Sequence, residues 1–301
     1  MKITNVFDVP KPFLWAAEKS SYRPAPDRLS VSQLCSPPMQ RKLMIENWDK
    51  MEVDCVALHY RMMGSSIHYV LEQAAKDRLG VQTEIRLNLP PACFGIEIRG
   101  RADWLDYTES TLGDIKTCST YTDGREIKEE WIQQLNIYRY ILRRVFDYTA
   151  DNLRVFPYFK DWSLSQTTNS NYPKSPYGCI EIPVWEWKQT HDFIEKRVAE
   201  NLQENIRFCT DEERWKIPPR YAVMRKGYKK ALAATMVVDG NRTDILSREA
   251  AQSIINQKGL HSDKDVYIEE RKGECRRCEN YCDMRDVCKI TNADKWKEDL
   301  K

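Results

Sequence analysis

The stretch GRADWLDYTESTLGDIKTCSTYTDGREIKEEWIQQLNIY, residues 100–138, decides the fold that this sequence predicts. In its middle, LGDIKT alternates apolar and polar residues, as a short strand does. Side chains alternate between the two faces of a strand, so Asp114 and Lys116 are expected to project from one face and Ile115 from the other, into a core. This pattern alone also fits an ordinary ion pair on a strand surface.

A second strand is predicted just before it, in FGIEIRGRADWLDY, where apolar residues alternate up to Asp103. A turn over residues 107–111 would join the two strands as a hairpin. Asp103 would then lie beside Asp114 and Lys116. Two carboxylates bind a hard divalent cation such as Mg²⁺ or Mn²⁺ through oxygen, and a lysine can stabilise the charge that develops on a phosphate.

Helices are predicted on both sides of this hairpin. Residues 51–79 are predicted as one long helix that carries His68, and EEWIQQLNIYRYIL is an amphipathic helix that places Gln134 and Tyr138 on one face. A strand between them, residues 81–87, contains Glu84. Glu84 fits a position near the metal and equally a solvent-facing position on an edge strand.

The order of these elements resembles the RecB-type branch of the PD-(D/E)XK nuclease superfamily, which includes the CRISPR-associated adaptation nucleases and the AddB nuclease domain. The order is a helix with His68, a strand with Asp103, a strand with D-x-K and a helix with Q-x3-Y. The resemblance implies an α/β fold: a restriction-endonuclease-like mixed central sheet flanked by helices. It also implies hydrolysis of phosphodiester bonds in DNA processing, recombination or repair, as an exonuclease on single strands or duplex ends.

The resemblance further implies a role for each residue of the set. Lys116 would position the attacking water, and Gln134 and Tyr138 would position either the cleaved strand or the lysine. The ligands of Mg²⁺ or Mn²⁺ would be His68, Asp103, Asp114 and the carbonyl of Ile115, with Glu84 as a further one.

A second group of residues, GECRRCENYCDMRDVCK at 273–289, places four cysteines within fourteen residues. Such density indicates a metal centre, and the residues alone leave zinc and an iron–sulfur cluster open. The resemblance implies a [4Fe-4S] cluster, because RecB-type iron–sulfur nucleases take one cysteine from before the nuclease motifs and three from the tail. The implied ligands are Cys35, Cys278, Cys282 and Cys288, with Cys275 as the alternative. Cys35 also fits a small buried apolar residue.

Three regions are predicted along the chain: an N-terminal arm supplying Cys35 (1–50), the nuclease core (51–210), and a C-terminal segment with the cysteine module packing on the core (211–301). The last region includes a basic and aromatic cluster that fits either DNA contact or a solvated loop. Its members are Arg225, Lys226, Tyr228, Lys229 and Lys230.

Composition adds few restrictions. The net charge of +2 gives no global basic field, and no apolar run suits a signal peptide or a membrane span, so a cytoplasmic protein with no membrane partner is expected. The sequence has no Walker-type phosphate loop, so any helicase motor would be a separate partner, as would a recombination protein. The alternative function is a non-catalytic DNA-binding or assembly factor that keeps the fold and its metal clamp, with iron–sulfur or zinc.

Overall fold

The structure, a computed structural model, describes residues 1–19, 23–120, 127–238 and 241–289. It divides into two compact units, Met1–Arg207 and Phe208–Lys301, which are described separately. None of the described helices is both long and apolar enough to cross a membrane.

The first unit contains eight strands and seven helices among the described residues. The strands are β1 (Lys2–Thr4), β2 (Arg28–Ser30), β3 (Glu52–Asp54), β4 (Val81–Leu89), β5 (Glu97–Asp106), β6 (Thr111–Cys118), β7 (Asn152–Phe159) and β8 (Ile180–Glu181). The helices are α1 (Lys11–Lys19), α2 (Val31–Leu34), α3 (Pro38–Asn47), α4 (His59–Ala75), α5 (Pro91–Phe94), α6 (Glu129–Phe146) and α7 (Trp187–Leu202).

A six-stranded mixed sheet forms the centre of this unit, in the order β2-β5-β6-β7-β8 with β4 also on β5. β5 runs antiparallel to β4 and β6, whereas β6 and β7 are parallel. The predicted mixed sheet flanked by helices is therefore confirmed, and so is the predicted hairpin of β5 and β6. The C-terminal cysteine module stays a prediction.

Helix α6 supplies much of the core because its apolar residues recur at helical spacing along one broad side. Leu135, Ile137 and Ile141 are fully buried, together with Leu112 and Leu153 of the sheet. Leu and Ile side chains buried in this way provide most of the free energy that holds a helix onto a sheet. The buried core thus fixes α6 over β6, which places Gln134 and Tyr138 near the D-x-K strand.

Two sequence-based expectations about the N-terminal third are wrong. The first 50 residues, predicted as an arm, contain the helices α1, α2 and α3, and β1 pairs in parallel with β3. The single helix predicted over 51–79 is instead β3, a 3₁₀ turn at Cys55–Leu58 and α4, which begins at His59. The physical reason lies at Asp54, whose carboxylate accepts hydrogen bonds from the backbone N–H groups of Val6 and Val56 and so turns the chain before the helix.

Over its described residues, the second unit is built from short antiparallel pairs, one α-helix and a π-helical turn at Arg277–Tyr281. Its elements are β9 (Lys216–Ile217), β10 (Arg220–Arg225), β11 (Thr235–Val238), β12 (Asn241–Asp244), α8 (Arg248–Gln257), β13 (Val266–Arg271) and β14 (Glu274–Cys275). β10 pairs with β13, β11 with β12, and β9 with β14. A small core joins β10 to α8 through Val223, Ile245 and Ala251.

Candidate active site

The site begins at a fork between β5 and β6. The two strands pair only over Trp104–Asp106 and Thr111–Gly113, after which β6 continues in parallel with β7 alone. At the fork the Oδ2 atom of Asp103 accepts a hydrogen bond of 2.8 Å from the backbone N–H of Ile115. The Asp103 carboxylate thus accepts the hydrogen bond that a backbone carbonyl of β5 would accept if the two strands stayed paired. This hydrogen bond holds the Asp103 carboxylate beside Asp114 and Lys116.

Asp114 and Lys116 form a buried ion pair on β6, with Oδ2 of Asp114 2.7 Å from Nζ of Lys116. Asp114 is only 2% exposed, and burial raises the pKa of its carboxyl to about 6, although Lys116 acts against this shift. Burial alone would lower the pKa of Lys116, but Asp114 raises it above its ordinary value. The two side chains do project from one strand face, as the alternation predicts.

Despite the ion pair, Oδ2 of Asp114 has no partner in hydrogen-bond geometry among the described residues. The Lys116 ammonium offsets the charge of this oxygen, and a carboxylate oxygen has a further lone pair that can bind a metal cation as well. The oxygen therefore fits the position of a metal ligand that also contacts Lys116.

Lys116 is oriented by a chain of hydrogen bonds from α6. Its ammonium donates to Oε1 of Gln134 at 2.9 Å, and Nε2 of Gln134 donates to the hydroxyl oxygen of Tyr138 at 3.1 Å. Tyr138 is buried, and it needs the glycine at position 100: a Cβ atom there would lie 2.6 Å from the tyrosine ring. The Q-x3-Y helix and the D-x-K strand are thus in direct contact.

Three possible metal ligands cluster beside this pair. Donor atoms of His68, Glu84 and Asp103 all lie within 4.8 Å of one another. Nδ1 of His68 lies 3.4 Å from Asp103 and 3.9 Å from Glu84, and the hydrogen bond with Asp103 raises the pKa of the imidazole. The other ring nitrogen, Nε2, lies 3.1 Å from the carbonyl oxygen of Ile115.

The backbone of Glu84 is unusual in a way that aims its side chain at this cluster. In the β4–β5 ladder, Thr83 faces Trp104 and Ile85 faces Ala102, so Glu84 would face Asp103, but that pair is missing from the ladder. Glu84 has a φ of 56°, a conformation that costs a non-glycine residue about 1–2 kcal/mol. Sequence reasoning had no signal for this distortion, because glutamate does not mark such a position as glycine would.

The residues present fit a hard divalent cation. The donors are three carboxylates, one carbonyl and one imidazole, a set that suits Mg²⁺ or Mn²⁺. Burial raises the pKa of Glu84 as well as that of Asp114, so the negative charges are disfavoured where they stand. A cation bound among them would relieve both effects. All five sequence-predicted ligands, including the tentative Glu84, thus lie in one place.

A cleft of about 1250 Å³ opens over this cluster, and arginines line it. On the two neighbouring strands Arg86 faces Arg101 directly, and Asn88 faces Arg99. The exposed aromatic rings of Tyr60 and Tyr69 also line the cleft. Sequence reasoning missed these residues, although the period-two series Arg99, Arg101, Asp103 already places them on one strand face.

The remaining sequence-predicted residues lie apart from this cluster or in the second unit. Cys35 lies at the end of α2, where burial raises the pKa of its thiol to about 12 while Lys116 and Arg197 act to lower it. The residues predicted to contact DNA, and the C-terminal cysteines, belong to the second unit: Arg225, Lys226, Tyr228, Lys229, Lys230, Cys275, Cys278, Cys282 and Cys288. Of these, Arg225 forms an ion pair of 2.8 Å with Asp263.

Comparison with known proteins identifies the family. A search of curated proteins matched none of them. Among solved structures, one match is the crystal structure of SSO0001, with 19% sequence identity over 68% of this chain and 93% of that chain, and a TM-score of 0.44. The model of the PD-(D/E)XK nuclease superfamily matches residues 38–289, which include both the fork and the cysteines. This chain therefore belongs to the PD-(D/E)XK nuclease superfamily.

Proposed function

We propose that this protein is a Mg²⁺- or Mn²⁺-dependent DNA exonuclease that acts on single strands or duplex ends. The observation that carries the proposal is the group of His68, Glu84 and Asp103 beside Asp114, which is buried and paired with Lys116. A lysine held next to these carboxylates adds the second requirement of phosphodiester hydrolysis, a positive charge near the phosphate.

The residues of the site have separate roles in this proposal. The ligands of the ion would be His68, Glu84, Asp103, Asp114 and the carbonyl of Ile115. When bound, the divalent ion supplies Lewis-acid chemistry and lowers the pKa of bound water. Lys116, fixed between Asp114 and Gln134, orients the attacking water and stabilises negative charge on the phosphate. Gln134 and Tyr138 act through Lys116 as positioning residues.

The arginine pair on β4 and β5 supports a polyanionic substrate. Like charges placed directly across a sheet destabilise the folded protein, yet Arg86 faces Arg101 and Arg99 lies two residues away on the same face. Arg101 is balanced by Glu84 at 2.6 Å and Arg99 by Glu97 at 2.8 Å, whereas Arg86 is exposed and faces Arg101. Phosphates of a strand that enters the cleft would neutralise these charges, and exposed Tyr60 and Tyr69 offer surfaces for stacking bases.

A second basic surface in the C-terminal unit extends the proposal. β10 ends at Arg225, and the turn that follows has Gly227 at a φ of 80° and leaves Tyr228 60% exposed. Together with Lys226, Lys229 and Lys230, this turn presents cations around an aromatic ring, as surfaces that bind single strands do. Our proposal also includes a cytoplasmic location and a separate motor or recombination protein as partner.

A cleavage assay tests the proposed function. Linear single-stranded, linear duplex and circular single-stranded DNA are incubated with Mg²⁺, with Mn²⁺, or with a chelator. We expect end-labelled linear DNA to be degraded with either metal, circular DNA to survive, and the chelator to abolish cleavage. Cleavage of circular DNA would show that the protein is an endonuclease rather than an exonuclease. Binding without cleavage under every condition would support the non-catalytic factor instead.

Substituting the cleft arginines is expected to weaken DNA binding without weakening the fold. In Arg86→Gln/Arg99→Gln, two phosphate contacts are lost, so the slope of log K against log salt should fall by about 1.4–1.8. Thermal stability should stay equal or rise, because a like-charge repulsion is removed. Binding is measured by fluorescence anisotropy with a chelator present, across a salt series.

The matched control is Lys188→Gln/Lys196→Gln, which removes two exposed charges from α7. This control should leave the slope unchanged, since neither lysine lines the cleft. If the slope of log K against log salt fell equally in both double variants, the arginines would act only through the net charge of the protein. The same salt series on Lys226→Gln/Lys229→Gln/Lys230→Gln tests the second basic surface.

A further inference from the structure

One group of chemically reactive side chains lies outside the nuclease site: the cysteines of the C-terminal unit. That unit includes Cys209, which has no other cysteine near it in the chain. Folding nevertheless brings the segment that follows Cys209 against the cysteine-rich tail.

Backbone pairing provides the first evidence. β9 and β14 pair antiparallel, with Lys216 facing Cys275. Beyond the strands, the backbone N–H of Arg277 donates to the carbonyl of Arg214 at 3.1 Å, and its guanidinium donates to the carbonyl of Glu213 at 3.0 Å. Thr210, the residue after Cys209, donates its backbone N–H to the Glu213 carboxylate, and the Glu213 backbone N–H donates to the Thr210 hydroxyl oxygen. A continuous set of hydrogen bonds therefore runs from the neighbour of Cys209 to the tail.

Ring packing fixes the same two segments together. The guanidinium of Arg277 lies 4.2 Å from the ring centroid of Trp215, and the Trp215 and Tyr281 rings are 5.4 Å apart with an edge-on geometry. Tyr281 immediately precedes Cys282, and Arg277 immediately precedes Cys278. The two tail cysteines are thus anchored to the segment that starts at Cys209.

Electrostatic coupling agrees with this packing. Burial raises the pKa of the Cys209 thiol to about 12, and Glu213, Cys278, Cys288 and Cys282 add to the effect. Cys209 therefore has the tail cysteines as neighbours within its own unit.

We propose that Cys209 is a metal ligand together with Cys278, Cys282 and Cys288, in a thiolate centre that lies wholly within the C-terminal unit. The donor set fits a thiophilic metal, since these four residues carry thiols rather than disulfides. The cationic Arg214 and Arg277 lie among the same cysteines and would offset the negative charge of four thiolates. This centre does not depend on the proposed nuclease activity.

The spacing of the sulfur atoms bears on which metal is bound. Among the described residues, no three cysteine sulfurs lie within 4.8 Å of one another. Four sulfurs at about 2.3 Å from a single zinc ion would be roughly 4 Å apart. The sulfur atoms are thus not in zinc geometry, and four thiolates suit zinc and an iron–sulfur cluster alike. Cys275 pairs in the β9–β14 ladder through its backbone and lies among the same cysteines, since it also raises the pKa of the Cys278 thiol.

Differential alkylation of the wild-type, full-length protein tests the proposal without any substitution. Anaerobically purified protein is labelled with iodoacetamide before and after removal of its metal by a chelator, and each cysteine is quantified by mass spectrometry. We expect Cys209, Cys278, Cys282 and Cys288 to label at least about tenfold faster after removal. Exposed Cys179 should label equally in both states. Equal labelling of Cys209 in both states, or absence of bound metal, would overturn the proposal.

Variants test the same assignment by metal content. In Cys209→Ser, bound iron, sulfide and zinc should fall to below about a tenth of wild type, as in Cys282→Ser, while Cys35→Ser keeps its metal. Circular dichroism identifies a variant that has not folded, and the alkylation result then decides. Iron with sulfide and zinc alone both support the proposal if Cys209 is required. Loss of metal in Cys35→Ser with full retention in Cys209→Ser would overturn the proposal and make Cys35 the fourth ligand.

Discussion

Replacing Asp114 by asparagine, or Lys116 by methionine, is expected to reduce DNA cleavage by about 10³-fold or more while the protein stays folded. Each change removes one charge from the buried pair in which the two groups are 2.7 Å apart. Lost transition-state stabilisation by one positioned polar group is worth about 10²–10³-fold, and loss of a metal ligand costs more. Single-turnover cleavage of end-labelled DNA measures the effect.

Metal binding separates the roles of the two residues. Asp114→Asn should weaken Mn²⁺ binding at least about tenfold, because asparagine offers a neutral oxygen where the buried carboxylate oxygen lies. Lys116→Met should bind Mn²⁺ as tightly as wild type or more tightly, since a competing positive charge is gone. Titration followed by Mn²⁺ electron paramagnetic resonance measures both affinities.

The double variant and a control sharpen this test. Because the two groups act as one unit, Asp114→Asn/Lys116→Met should be no slower than the worse single variant. Asp106→Asn changes a carboxylate on the same hairpin, which accepts hydrogen bonds from the Thr108 backbone and side chain and does not line the cleft. This control should cleave within about twofold of wild type. Cleavage at the wild-type rate by both single variants would mean that the active site lies elsewhere.

The sequence predicted this site well because its residues are spaced by the period of their own elements. Asp114 and Lys116 are two apart on a strand, and Gln134 and Tyr138 are four apart on a helix. Local periodicity therefore places each pair on one face without knowledge of the rest of the fold. The hairpin also follows from local order, and so Asp103 reaches the pair.

The parts that the sequence did not predict depend on long-range contacts. Glu84 reaches the site through a backbone distortion opposite Asp103, and Cys209 meets the tail through the β9–β14 pair, about sixty residues away in the chain. Neither arrangement leaves a local pattern. Helix α4 was predicted to begin too early, because the side-chain hydrogen bonds of Asp54 to residues before and after it cannot be inferred from helix propensity.

Helix α7 shows that a pattern of charged residues does not by itself predict which of them are exposed. A run of charged residues such as this one ordinarily indicates a solvated face, but Arg197 is only 8% exposed. Nε of Arg197 donates to the carbonyl of Leu34 at 2.7 Å, and one terminal nitrogen donates to the carbonyl of Ser36. The other terminal nitrogen pairs with Glu200, which is itself largely buried. Arg197 therefore ties α7 to the chain on both sides of Cys35.

Arg197→Met is accordingly expected to lower the free energy of unfolding of the first unit by about 3 kcal/mol. Methionine keeps most of the volume, but two carbonyl groups lose their buried donor and the Glu200 carboxylate keeps only its longer 3.6 Å pair with Arg207 among the described ion pairs. Removing one partner of a buried pair costs about 3–5 kcal/mol, and the remaining Arg207 places the expected loss at the lower end. For a unit of this size, Tm should fall by roughly 6–12 °C. Lys188→Met on the same helix removes an 85% exposed ammonium paired with Asp192, and should leave stability unchanged, since exposed ion pairs contribute little. Urea denaturation of both variants measures the difference. Equal stability of Arg197→Met and Lys188→Met would show that water replaces the guanidinium at these three acceptors, and that the interior beside Cys35 is wetter than the burial of Arg197 implies.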